Sequence, residues 1–332
     1  MNPKLKFMWI DDDEDRRKSS LVLEKLLGIS MEFVNLRSKS LRNELDGILS
    51  KPSPDLVLLD HRLDRVAESL IPKGSIATGS TVAEIIREKW LECPIACVTA
   101  VEIEEVALHK REIYEDVFRY SNMSQHYSTL LAIAHSFRLM KKKRPRDLDH
   151  LLNLLKAPMN DKVRLTEIAP KELKGEFEDK GILLSISRWV RHKLMARPGF
   201  LYDRIWAATL LGIKEPSFEK VAGMFEKAKY NGIFSDSNSP LWWKSKMQEI
   251  LYRKEPSLQQ LPTRQLGQKL KRITKRDVSF CYSCKEPLPE IVAFLDESSS
   301  RREAMHLRCT VPHPRFNQLL FFDEIRVMRG AE

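Results

Sequence analysis

The chain has 332 residues, 42% of them apolar, and 56 Lys and Arg against 46 Asp and Glu give it a net charge of +10. That length holds two or three domains with more than one packed core, and the composition excludes a disordered chain. No apolar run approaches the roughly 18 residues that span a bilayer, Phe7–Ile10 is too short for a signal-peptide core, and five sparse cysteines argue against a disulfide framework, so a cytoplasmic protein in a reducing setting with no membrane contact is expected.

The charge is uneven. Residues 1–140 carry 19 Lys and Arg against 22 Asp and Glu, net −3, and the remainder 37 against 24, net +13. Along the first portion, apolar runs alternate with amphipathic stretches. Strands are predicted at Lys6–Ile10, Met31–Leu36, Asp55–Leu59, Pro94–Val98 and Asp116–Tyr120. Helices are predicted at Ser20–Leu27, Ser40–Leu49, Gly79–Trp90, Glu102–Glu112 and Ser124–Met140. Five such alternations predict an α/β domain over 1–140, with a parallel sheet and a ligand site at the carboxyl ends of its strands.

The acids of KFMWIDDDEDRR then acquire a place. Asp11 and Asp12 stand at the end of the first strand, Asp60 ends PDLVLLD on the third, and Asp13, Glu14 and Asp15 open the next turn at the N-terminus of a helix. In a doubly wound sheet the first and third strands are neighbours, so three carboxylates converge. They repel one another unless a cation sits among them, and hard oxygen donors favour Mg²⁺. Thr99 in CVTA places a hydroxyl beside them.

With these segments the first 140 residues resemble the receiver domain of two-component response regulators, a flavodoxin-like five-stranded parallel sheet with helices on both faces. IDDDEDRR is similar to the acidic pair, PDLVLLDHRL to the phosphoacceptor segment and VTA to the hydroxyl position. The resemblance implies that Asp60 accepts a phosphoryl group from a histidine kinase or similar donor, that Asp11, Asp12 and Asp60 hold Mg²⁺, and that Thr99 bonds the phosphoryl oxygens. Two departures stand out. The lysine that receivers carry at the end of the fifth strand is replaced in EDVFRYSNM by Arg119, followed by Tyr120, and a guanidinium fork is not equivalent to an ammonium. Also, 38 residues separate Asp60 from Thr99, so RVAESLIPKGSIATG suggests a lengthened loop beside the site.

MKKKRPR, Met140–Arg146, reads as a solvated linker. Beyond it a mainly helical domain is expected over 141–262, with helices at Leu148–Leu155, Ile182–Met195, Phe200–Leu211 and Phe218–Tyr230. ARPGFLYD supplies a turn before a fresh helix, and a weaker alternative to that structural role is an enzyme site that uses Arg197, Tyr202 or Asp203. Trp242 and Trp243 are expected in a core or an interface.

Residues 263–332 are expected to form a basic helix and a zinc module. Arg264–Arg276 puts Leu266, Leu270 and Ile273 on one face among basic residues, a candidate contact for nucleic acid. CYSC and HLRC then supply Cys281, Cys284, His306 and Cys309, two tight pairs 21 residues apart that can close a tetrahedral, structural Zn²⁺ site. Cys93 and Cys97 read as buried thiols in the first domain. No helix-turn-helix, P-loop, GxSxG or HExxH occurs, so no catalysis beyond phosphoryl acceptance is expected. The alternative is a nucleic-acid-binding effector whose receiver is regulatory or degenerate.

Overall fold

The computed structural model describes residues 3–36, 41–63, 78–106, 113–196, 199–260, 263–276, 278–281, 283–287, 292–294, 304–306 and 309. The lengthened loop expected at RVAESLIPKGSIATG lies almost wholly outside them, as do Arg197 and most of the helix expected at Glu102–Glu112, of which one 3-10 turn, Ile103–Glu105, is described.

In chain order the elements are β1 (Lys6–Asp11), α1 (Arg16–Leu27), β2 (Ser30–Asn35), α2 (Leu41–Leu49), β3 (Leu56–Asp60), α3 (Gly79–Lys89), β4 (Ile95–Thr99), β5 (Asp116–Arg119), α4 (Tyr127–Lys143), α5 (Leu148–Leu154), α6 (Met159–Ile168) and α7 (Ile182–Trp189). They continue as β6 (Leu201–Tyr202), α8 (Arg204–Leu210), α9 (Glu215–Phe218), β7 (Trp242–Trp243), α10 (Lys244–Lys254), α11 (Thr263–Thr274), β8 (Val292–Phe294) and β9 (Ala304–His306). The chain divides into two compact units, one of Met1–Ala157, Leu165–Lys193 and Gly232–Asn238, the other of Pro158–Arg164, Leu194–Asn231 and Ser239–Glu332.

The first unit is built on a five-stranded sheet in the order β2-β1-β3-β4-β5, every neighbouring pair parallel. Its central strands are covered on both faces, so they read as unbroken apolar runs: Leu56–Leu59 of β3 and Ile95–Cys97 of β4 are fully buried. Cys93 and Cys97 are buried free thiols, and burial pushes Cys93 up to about 12. Gly28 ends α1 in the left-handed region, φ +63°, with its N–H donated to the Glu24 carbonyl.

The region after Met140 is not a solvated linker. Helix α4 runs on to Lys143 and buries Leu130, Ile133, Ala134, Phe137 and Met140 at helical spacing. Arg144 then pairs with Glu92, and the Phe177 N–H donates to the Arg146 carbonyl at 2.7 Å. Lys142 and Lys143 are exposed on the outward side of this packed helix. Farther on, α7 ends at Trp189 and passes into a π-helical turn, Val190–Met195, so the single helix expected over Ile182–Met195 changes pitch midway. Ser187 and Arg87 both reach the buried Glu115 carboxylate, while Arg191 donates to the Glu115 carbonyl and to Asp116. Helix α7 is thereby bolted to the start of β5.

In the second unit β6 and β7 pair antiparallel, Leu201 opposite Trp243 and Tyr202 opposite Trp242. Both tryptophans are buried: Trp242 packs in one core with Phe218, Phe225, Met247 and Leu251, and Trp243 meets Tyr230 edge-on at 5.7 Å. The helix expected from Phe200 begins only at Arg204, because Leu201 and Tyr202 are drawn into the strand pair and Asp203 caps α8 by accepting the Trp206 N–H at 2.8 Å. The helix expected over Phe218–Tyr230 is a 3-10 run, Ala222–Ala228, kinked at Phe225. Helices α6 and α10 were not foreseen. No helix among the described residues is long and apolar enough to cross a bilayer.

Candidate functional site

Asp11, Asp60, Thr99 and Arg119 are the last residues of β1, β3, β4 and β5, and Asp12 follows Asp11. In this strand order β1 and β3 are neighbours whose connections leave in opposite directions, which opens a crevice at their carboxyl ends. There one carboxylate oxygen from each of Asp11, Asp12 and Asp60 lies within 4.8 Å of the others. Asp11 and Asp12 are only 3% and 5% exposed, so water does little to relieve their charge.

The Asp11 carboxylate is held at both oxygens. Oδ1 accepts the Asp13 N–H at 2.8 Å and Oδ2 accepts the Trp9 indole N–H at 3.2 Å. Burial pushes Asp11 up to about 6, opposed by the Asp13 N–H and the nearby Arg16 charge. Asp60 is pushed up to about 7, chiefly by burial and then by the charges of Asp11 and Asp12, although the backbone N–H groups of Arg62 and His61 donate to it. Asp11 and Asp60, raised by burial and by the charge of the neighbouring acids, converge with Asp12 as a set of hard oxygen donors, and the set fits a divalent cation such as Mg²⁺.

Thr99 is buried, and its Oγ1 accepts the Val101 N–H at 3.2 Å. Arg119 stands opposite Thr99 in the sheet register. Among the described residues its ion pair is with Glu102, Nη1 to Oε1 at 2.9 Å, and its Nε is buried without a hydrogen-bond partner. The guanidinium in the expected lysine position is therefore already engaged by Glu102, while its buried Nε–H has no hydrogen-bond partner among the described residues. The remaining acids of the opening run lie before α1: Asp15 occupies its N-cap position, the Arg16 N–H bonds the Asp13 carbonyl, and Glu14 pairs with Arg17.

Sequence reasoning passed over Trp9, Arg16 and Glu102. The available signal for Trp9 was strand periodicity, since residues two apart share a side. Arg16 lies with its guanidinium carbon 3.5 Å from the Tyr120 ring centroid. At the other end of the chain, Cys281, Cys284 and Cys309 bring their sulfurs within 4.8 Å of one another. The turn that carries the first two is closed by the Cys281 N–H on the Glu286 carbonyl and the Lys285 N–H on the Cys281 carbonyl. His306 lies in β9, its backbone in register with Val292, and its side chain is outside the described residues.

No protein-family model matches the chain, and no curated protein matches it. Solved structures do. A two-component response regulator from Clostridium difficile is 21% identical, covering 40% of this chain and 97% of that one, with a TM-score of 0.32. The N-terminal domain of a response regulator/sensory box/GGDEF 3-domain protein from Carboxydothermus hydrogenoformans is 20% identical, covering 42% and 99%, with a TM-score of 0.31. A response regulator from Burkholderia pseudomallei, solved with a phosphorylated aspartic acid, calcium ion and citrate, is 11% identical, covering 49% and 92%, with a TM-score of 0.31. The solved structures it is similar to include response regulator receiver domains, and its own five strands are all parallel in the order β2-β1-β3-β4-β5.

Proposed function

We propose that the chain is a response-regulator-like signalling protein of the cytoplasm, in which Asp60 accepts a phosphoryl group from a phosphohistidine on a histidine kinase or similar donor. The observation that carries this reading is the convergence of Asp11, Asp12 and Asp60 at the ends of adjacent strands, with Asp60 raised to about 7. An Asp60 carboxylate oxygen attacks phosphorus as the P–N bond breaks. The departing electron pair returns to the donor imidazole, and an acyl phosphate remains on Asp60. Mg²⁺ held by Asp11, Asp12 and Asp60 would neutralise charge on the phosphoryl oxygens and keep Asp60 ionised at neutral pH. The Thr99 hydroxyl is the donor for one phosphoryl oxygen, and Arg119 takes the part of the absent lysine. The test is incubation with acetyl phosphate and Mg²⁺, read by intact mass. One phosphoryl adduct that Asp60→Asn lacks is expected, and no adduct on the wild type refutes phosphotransfer.

The output would be the second unit. Cys281, Cys284 and Cys309, joined by His306, would bind one structural Zn²⁺ and fix the chain around the β8–β9 hairpin. A second reading, that this unit acts on nucleic acid, is favoured by α11 and the residues after it, where Lys271, Arg272 and Lys275 are exposed while Leu270 and Thr274 are buried. Binding to duplex DNA or RNA over a salt series decides it, since phosphate-driven affinity falls steeply with salt.

A further inference from the structure

We propose that Trp9 is a positioning residue for the cation site, its indole N–H fixing the Asp11 carboxylate beside Asp12 and Asp60 before an ion arrives. The proposal rests on the reading of those three acids as a cation site. Trp9 and Asp11 are two apart on β1, so both side chains leave the same side of the strand. The indole Nε1 lies 3.2 Å from Asp11 Oδ2, and both residues are nearly inaccessible to water. An indole N–H is a donor only and cannot itself ligate a cation, so its effect there passes through the carboxylate. With the Asp13 N–H on the other oxygen, the carboxylate is bonded on both sides, and its rotation is restricted.

The indole is itself clamped. Phe33 meets it edge-on at 6.3 Å, and Tyr120 lies 6.3 Å away on a tilted plane. Tyr120 is pinned in turn by Arg16 across its ring and by Ser19 at its hydroxyl. Phenylalanine would keep an apolar ring at this buried position, though a smaller one. Only the tryptophan delivers an N–H to the acid.

Groups that hydrogen-bond a metal-ligating side chain typically change affinity by about 10–100-fold when removed. Calorimetric titration of the full chain with MgCl₂ tests this on four proteins. Trp9→Phe, which removes the N–H and keeps a ring, is expected to bind Mg²⁺ about 10-fold or more weakly. Phe33→Leu, which loosens the indole's packing and leaves its N–H, is expected to stay within about two-fold, and Asp11→Asn is expected to lose binding. No heat from the wild type refutes the cation site itself. Wild-type binding with Trp9→Phe unchanged, or with Phe33→Leu equally weakened, overturns the role of Trp9 alone. If Trp9→Phe does not fold by circular dichroism, the wild type still decides through its six ¹⁵N-labelled indoles. The indole signal displaced by Asp11→Asn must also move on adding Mg²⁺, and a stationary signal overturns the proposal.

Discussion

Asp60→Asn should make the folded protein more stable, and the gain should grow with pH. Burial and two neighbouring carboxylates push Asp60 from its ordinary 3.8 up to about 7. A displacement of about three pH units at ~1.4 kcal/mol each makes ionisation of folded Asp60 costlier by about 4 kcal/mol than in the unfolded chain. The folded form binds the proton more tightly, so stability is full below the ordinary value and falls as pH climbs towards 7. Solvent reaches this half-buried carboxylate and trims the penalty to an expected ~2–3 kcal/mol. Asparagine keeps an oxygen for the Arg62 and His61 N–H groups and removes the charge. Urea unfolding without added Mg²⁺ should show the variant ahead by under ~1 kcal/mol near pH 4.5 and by about 2–3 kcal/mol at pH 8. Mg²⁺ at pH 8 should then stabilise the wild type more than the variant, because an ion that binds only the folded state adds to its stability. A gap that stays constant with pH, or a variant less stable at pH 8, would refute the repulsion on which the cation site rests.

Gly79→Ala should destabilise the first unit, because a Cβ there would sit 2.1 Å from the Asp60 carbonyl oxygen and 3.0 Å from the Tyr114 hydroxyl. Alanine is the better helix former by about 1 kcal/mol, yet a clash with the backbone of Asp60 should outweigh that, giving a net loss of about 1–3 kcal/mol in thermal melts; an unchanged melt would contradict the close approach. Glu102→Gln removes the partner of Arg119 in a half-exposed ion pair, so stability should move by under ~1 kcal/mol. The yield of Asp60 phosphate from acetyl phosphate should nevertheless rise about two- to five-fold as the guanidinium is released, and an unchanged yield would mean that Arg119 does not serve the phosphoryl group. Cys281→Ser should reduce bound zinc from about one per chain to well below it, read by elemental analysis, because a closed tetrahedral site needs all four ligands; full zinc occupancy would remove Cys281 from the ligand set.

The sheet was legible because its strands are buried on both faces. KFMWID, LVLLD and IACVT announce strands through unbroken apolar runs, and their terminal Asp11, Asp60 and Thr99 mark the site by sitting where the apolar runs end. The helical portion was harder, since periodicity tells only which residues face inward and not the pitch. Val190–Met195 widens to a π turn and Ala222–Ala228 tightens to 3-10, and both keep an apolar pattern that an α-helix would share. Leu201 and Tyr202 could not be read as a strand without knowing that Trp242 and Trp243 lie beside them, forty residues away. MKKKRPR misled because its charges lie outside while Met140 points inward. The engagement of Arg119 by Glu102 was invisible because it is a pairing across a loop, set by the fold and not by spacing.

That pairing, set against the other end of the same strand, gives β5 a particular mechanical position. At its start, Arg191 holds the Glu115 carbonyl and the Asp116 carboxylate, and Ser187 with Arg87 satisfies the buried Glu115 carboxylate. Leaving such a buried charge short of a partner costs about 1–3 kcal/mol or more, so the tie between β5 and α7 is a firm one. At its end, Arg119 is held by a half-exposed pair worth less than about 1 kcal/mol and still has an unused buried Nε. A phosphoryl group arriving beside Thr99 would compete with Glu102 for that guanidinium on favourable terms, since its bonds to arginine are charge-assisted and can be bidentate. The weakly held end of the strand is thus the end that meets the three carboxylates, and the firmly held end is the one joined to helix α7.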